Sequence, residues 1–188
     1  GFESTYAPYL DIEENGYSIS YREQVGKDLI VNYGFEAPML VDDHNSQGEN
    51  TMFAISSEYK KDNFKHSFIS GITIEPGSFL ETKATGIFEM NNLQTEHTFV
   101  GLKSEIKLGK SMYFKTNYNS AISKLNYSYS PLIESSTELV SDNFDLALAK
   151  DFESIDLKTV LFISQPNRIS SGTLTFNQPS LSGLNGDI

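Results

Sequence analysis

Apolar residues recur at every second position through most of this chain, between clusters of Gly, Asn, Asp and Ser, and no stretch sustains a helical i, i+3, i+4, i+7 pattern over three turns. The alternation predicts strands at 17–23, 28–35, 51–59, 64–75, 83–90, 95–108, 111–118, 124–130, 143–150, 154–164 and 168–176. The links "VGKD", "KKDN", "EPGS", "MNNL" and "LGKS" have the composition of tight turns, where Gly, Asn and Asp accept positive φ or bond their own backbone. Strands joined by short links pair with their sequence neighbours. The expected fold is therefore all-β: an antiparallel meander of about ten to eleven strands curled into a barrel or barrel-like sheet. Two links are longer, 36–50 and 130–142, and in the second Leu132, Ile133 and Leu139 lack strand spacing, which suggests a helical turn.

Most strands carry one apolar and one polar face. Val100, Leu102 and Ile106 alternate with Gly101, Lys103 and Glu105, and Leu157, Leu161 and Ile163 lie opposite Lys158, Val160 and Phe162. A one-sided sheet must cover its apolar face by curling, by stacking or by facing lipid. Gly71, Gly86 and Gly101 each interrupt a predicted strand, where glycine is justified by a bend or a close approach. A lipid-facing strand needs ~9 to 11 residues. Only 64–75, 95–108 and 154–164 reach that comfortably, and His66 and Glu96 fall on apolar faces. With a mean hydropathy of −0.32, these features favour a water-soluble curled sheet over a membrane barrel. An open meander would also expose two edges through which copies of the chain could pair.

Composition narrows the classes further. A length of 188 residues suits one all-β domain over 1–188 with its own core. The net charge of −11, without a basic stripe, argues against nucleic acid and anionic lipid headgroups as partners. Cysteine is absent, which excludes disulfides and thiolate chemistry. "GFESTYAPYL" is not a signal peptide and no run approaches the ~18 apolar residues of a membrane helix. Either the chain is cytoplasmic or its targeting segment has been removed, and Gly1 fits a domain excised from a longer protein. Ten Tyr and thirteen Phe are the notable enrichment, with Tyr113, Tyr118, Tyr127 and Tyr129 in the densest run. These four are readable as ordinary strand formers, as an interfacial girdle or as a ligand-stacking face.

Catalytic chemistry finds little support. No nucleophile elbow, glycine-rich phosphate loop or zinc-binding His spacing occurs. His44, His66 and His97 are scattered, although His66 and His97 lie on predicted neighbouring strands. The acidic doublets Glu13–Glu14 and Asp42–Asp43 read as solvated charge. Asp43, Asn45, Gln47 and Gly48 imitate the start of a calcium loop, but Ala54 stands where the closing Glu belongs. Glu134 and Glu138 would share a helical face, yet nothing beside them suggests a cleft. The expectation is no enzyme, no cofactor and no metal. An enzyme reading would be revived by finding His97 or His66 beside a carboxylate in a cleft.

One stretch is distinctive. In "ISQPNRISSGTLTFNQPS", 163–180, Pro166 and Pro179 should end strands, Gly172 could supply a bulge, and Arg168 could meet a carboxylate. Together with "GITIEPGSFLETKATGIFEM" and "TEHTFVGLKSEIKLGKSMYFKTNY", this segment resembles the C-terminal autotransporter-type β-domain of subtilisin-like serine peptidases of alphaproteobacteria. Ser164, Gln165, Pro166, Arg168 and Gly172 fit that family's S-Q-P-L-R-V-x-S-G run, while Asn167 and Ile169 depart from it. The resemblance spans Gly71 to Pro179 and implies a non-catalytic β-domain of an exported or cell-surface protein. Its peptidase would lie upstream and its partner would be that peptidase or the outer membrane. The alternatives are a soluble barrel that binds a lipid or glycan in an apolar interior with converging Tyr hydroxyls, and an outer-membrane barrel proper.

Overall fold

A computed structural model of the chain describes residues 16–38, 51–79, 85–86, 89–152 and 157–177. It is all-β. The strands are β1 (Gly16–Val25), β2 (Leu29–Pro38), β3 (Thr51–Lys61), β4 (Phe64–Pro76), β5 (Gln94–Lys107), β6 (Met112–Asn126), β7 (Ile133–Ser136), β8 (Leu139–Phe152), β9 (Leu157–Ser171) and β10 (Leu174–Phe176). Eight of them form one antiparallel meander in the order β1-β2-β3-β4-β5-β6-β8-β9, and β7 pairs with β10 in a small second sheet. Tight turns at Gly26 and Gly109, both at positive φ, and at Asp62 join β1–β2, β5–β6 and β3–β4 at one end of the sheet. The longer connections, 77–93 and 127–138, lie at the other end.

Several local expectations change. The two predicted strands 111–118 and 124–130 are one strand, β6, because the intervening "NSAIS" keeps the alternation: Asn119 and Ala121 are buried while Ile122 is exposed. Residues 85–86 and 89–90 of the predicted strand 83–90 are not extended, and Gly86 has φ +67°, so it serves a turn and not a strand bend. "EPGS" and "MNNL" are consequently the two ends of one long connection. The expected helical turn in 130–142 is instead β7 and the start of β8. Most strands of the main sheet are also longer than the sequence suggested, reaching 15 residues in β6 and β9, while β5 keeps its expected 14 and the shortest, β1, has 10. All are long enough to cross an apolar layer.

Pro166 does not end a strand. β9 runs through it to Ser171, and the ladder slips beside it: Phe144 faces Gln165 but Asp142 faces Arg168. The extra residue makes a bulge on an outer strand, where a missing N–H costs no ladder bond. The chain leaves the sheet at Gly172 instead. Its φ is +119° and an added Cβ would stand 2.6 Å from Leu139 Cδ2 and 2.7 Å from the Glu138 carbonyl, so only glycine makes this exit. Pro179 lies outside the described residues.

The two faces of the main sheet differ sharply. One presents Phe53, Ile55, Phe68, Ile72, Val100, Leu102, Tyr118, Ile122, Leu161 and Ile163, all exposed, and no described element covers it. The other buries Ala54, Ser67, Ile69, Gly71, Thr73, Thr95, His97, Phe99, Asn119, Ala121 and Ser123. No second sheet among the described residues packs on that face, so it is buried by the curl of the sheet around it, with Phe79 and Leu93 closing one end. Small residues make the curl possible. A Cβ at Gly71 would lie 2.4 Å from the Phe53 carbonyl and 2.7 Å from Phe99 Cζ, a close approach of β3 and β5 to β4. Gly101 sits on the same concave face, paired with Ile69 and Asn119.

Candidate functional site

The concave face encloses a cavity of about 620 Å³ whose lining comes from all eight strands of the main sheet, including both outer ones. Strand alternation dictates its chemistry: the inward positions of β3 to β6 carry Glu58, Lys65, Ser67, Lys103, Glu105, Lys115 and Asn117. Neighbouring strands set opposite charges side by side. Lys65 Nζ lies 3.2 Å from Glu58 Oε2, and Lys115 Nζ lies 2.8 Å from Glu105 Oε2. On β8, Asp145 accepts from Asn117 Nδ2 at 3.2 Å and from Ser164 Oγ at 2.6 Å. At the cavity floor Asn119 donates from Nδ2 to Asn143 Oδ1 at 2.8 Å. The space is lined by charged, hydroxyl and amide side chains with Ile30, Ala147 and Phe162 among them, and no tyrosine of the described residues lines it.

Beyond the floor the concave face is packed. Ile69, Phe99, Ala54 and Ala121 fill its waist, all at most 3% exposed. At the end with the long connections Leu93, Leu125 and Leu139 pack with Phe79, Met90 and Tyr127. Between waist and cap lies a buried polar network. His97 reaches Glu75 Oε2 from Nε2 at 2.9 Å and Ser123 Oγ from Nδ1 at 2.7 Å. The Nε2–H tautomer of the ring donates to Glu75 Oε2 and accepts the Ser123 hydroxyl proton at Nδ1. The Ser78 hydroxyl donates to Glu75 Oε1, and Thr95 Oγ1 donates to the Ser78 carbonyl at 2.7 Å. These bonds fasten the turn after β4 across β5 and β6. Phe79 covers the ring of His97 at 6.1 Å between centroids.

A Ser–His–carboxylate relay is the outline of a hydrolase site, so access decides its meaning. Ser123 and His97 are 1% exposed and Glu75 is 3% exposed, and none of the three lines the cavity. The carboxylate that the sequence reading asked for is present, and among the described residues the three side chains are buried away from the cavity. The arrangement is a hydrogen-bonded interior, satisfied on both sides as buried polar groups must be.

The other sequence-selected residues lie apart. His66 is on the outward face of β4, bonded to Ser104 Oγ at 2.7 Å, so it cannot meet the inward His97. Glu96 faces outward near the long-connection end of β5. Glu134 and Glu138 are exposed, one in β7 and one before β8, and share no helical face. Tyr113 points inward beneath Lys107, Tyr118 points outward, Tyr127 joins the cap and Tyr129 is exposed beyond β6, so the four build no common girdle. Glu13, Glu14, Asp42, Asp43, His44, Asn45, Gln47 and Gly48 lie outside the described residues. The family-like run has a structural place: Ser164 binds Asp145, Gln165 Nε2 donates to Asp142 Oδ2 at 2.8 Å, and Arg168 Nε approaches Asp142 Oδ1 at 3.8 Å. No family model, curated protein or solved structure matches this chain.

The Glu75–His97 contact was not legible as a motif, because 22 residues and a long connection separate the partners. A signal for the concave face did exist. Gly71, Gly101, Ala54 and Ala121, together with Glu58, Lys65, Lys103, Glu105 and Lys115, all share one parity of the alternation.

Proposed function

We propose that this chain is a non-catalytic, membrane-embedded β-domain of an exported protein. Its eight-stranded sheet is the wall of a barrel in an outer membrane, and its role is anchoring or positioning. The observation that carries this reading is the inversion of the two faces: large apolar side chains outward and uncovered, charged and amide side chains inward. Soluble proteins rarely leave a continuous apolar patch of more than a few hundred Å². Lipid-facing barrels require one, along with a polar interior and strands of ~9 to 11 residues or more. Tight turns at one end and long connections at the other are the usual asymmetry of such barrels. Glu96 sits near a strand end, where charge is tolerated. The waist at Phe99 and Ile69 and the cap at Leu93 argue for an anchor over a pore.

The resemblance to peptidase-associated autotransporter domains supports the exported setting and would place a peptidase elsewhere in the polypeptide. A soluble lipid or glycan carrier is less well supported, since ion pairs and amide side chains line the cavity beside Ile30, Ala147 and Phe162, and no Tyr hydroxyl of the described residues converges there. Dilution of the urea-unfolded chain into phosphatidylcholine vesicles tests the proposal. The expected outcome is strand-rich protein that floats with the vesicles and migrates faster on gels when unheated. A chain that folds as a stable monomer in buffer and ignores vesicles would refute it.

A further inference from the structure

The eight-stranded ladder ends at β1 on one side and β9 on the other, and both strands line the same cavity. Among the described strands neither has a second neighbour in the ladder, and a lipid environment does not allow a bare strand edge. The interior of the sheet holds the information needed to name the partner. The lateral row of facing residues that starts at Val25, beside the β1–β2 turn, passes through Leu29, Tyr59, His66, Ser104, Thr116 and Leu146 and arrives at Ile163. On β9 the residue nearest the same end of the sheet is Leu157, six positions from Ile163. The turn end therefore slips steadily in one direction across the sheet, as strands that tilt around a barrel must.

Closure makes a quantitative demand on that slip. With strands ~4.8 Å apart and ~3.3 Å of rise per residue, a tilt of ~35–45° around eight strands needs a total stagger of about eight to twelve residues. Six positions over seven interfaces extrapolate to about seven over eight. The stagger must be even, or outward side chains would meet inward ones. Eight is the nearest even value in the required range.

Building on the barrel reading, we infer that β1 and β9 pair with each other in an antiparallel seam with Leu157 opposite Glu23, Thr159 opposite Tyr21 and Leu161 opposite Ile19. This register joins the exposed apolar residues Ile19 and Leu161 into the outward belt, and it sets Ser18, Ser20 and Arg22 against Phe162, Val160 and Lys158 on the lumen side. Each edge is occupied by the chain's own other edge, not by a second copy. Strand count supports this choice, because in a meander of eight the first and last strands run antiparallel and both face one 620 Å³ space.

The absence of cysteine makes the test direct. Thr159→Cys is combined in turn with a single cysteine at each position from Ser18 to Gln24, in the full chain, and oxidised both in buffer and in phosphatidylcholine vesicles. The expected result is a linked monomer, confirmed by mass spectrometry of the joined peptides, with highest yield for Tyr21→Cys and a several-fold lower yield at Ser20→Cys and Arg22→Cys. Linkage mainly into dimers, a maximum at an odd offset, or no linkage at any position would overturn the seam. Vesicle partition of the unmodified chain is scored separately. A linked monomer that forms only in buffer, with no partition, keeps the seam and removes the membrane reading; partition with dimer linkage does the reverse.

Discussion

Leu102→Arg is the substitution that separates a lipid-facing sheet from a solvated one. Leu102 points outward from β5 between Phe68 and Tyr118 and is 51% exposed. It stands five residues from Lys107, at the turn end of the strand. Those five residues correspond to ~17 Å along the strand, or ~13 Å of height at a tilt near 40°, which is the middle of a ~25 Å apolar band. An arginine there costs ~2 to 4 kcal/mol in a bilayer. In water the same change at a half-exposed position stays within ~0.5 kcal/mol. Leu108→Arg is the internal control, because Leu108 lies just past the end of β5 and a charge near the interface costs about 0 to 1 kcal/mol. Equilibrium unfolding by guanidinium in vesicles, followed by far-UV circular dichroism and by the mobility of unheated protein, gives both differences. Equal effects of the two substitutions, each within ~0.5 kcal/mol, would refute the lipid-facing assignment.

Gly71→Ala should destabilise by ~1 to 3 kcal/mol in the same assay, and Phe99→Leu should restore only part of the loss, because the Phe53 carbonyl at 2.4 Å is backbone and cannot give way. His97→Leu removes one partner of buried Glu75, whose bond from Ser78 remains, and should cost ~1 to 3 kcal/mol; in a cycle with Glu75→Leu and the double change, strict additivity would show that the 2.9 Å contact carries no coupling. Planar bilayers containing the protein should show no steady conductance, given the filled waist around Ile69 and Phe99; stepwise channel currents from the unmodified chain would contradict an anchoring role.

Alternation was enough to read the fold class, since the outward Val100, Leu102 and Ile106 and the inward Gly101, Lys103 and Glu105 follow it without a break. What it could not show is which parity becomes the inside. Period two divides a strand into two faces and is silent on curvature, so the polar parity was free to be read as solvent-facing when it is the concave face that lines the cavity. Local composition misled in the places where tertiary context outweighs it. Asn119 and Ser120 look like a turn, but Asn119 is held in β6 by Asn143 on the neighbouring strand. Pro166 looks like a stop, but β9 lacks a second neighbour in the described sheet and absorbs it as a bulge. The Glu75, His97 and Ser123 network depends on the register of three strands and left no local trace at all.

In this sheet almost every neighbour in space is also a neighbour in sequence, with β7 the one strand skipped along the ladder. The chain can therefore zip strand by strand, each new ladder closing only a short loop. The proposed β1–β9 seam would be the exception, joining segments that bracket nearly the whole sheet. By loop-closure entropy it costs about 3 kcal/mol more to bring together than a tight hairpin. It is accordingly the last ladder to form and the first to open. The interval during which two long strand edges stand bare is then governed by the time needed for one slow final encounter, which makes the lifetime of the open sheet, more than the stability of the closed one, the quantity that sets its tendency to aggregate.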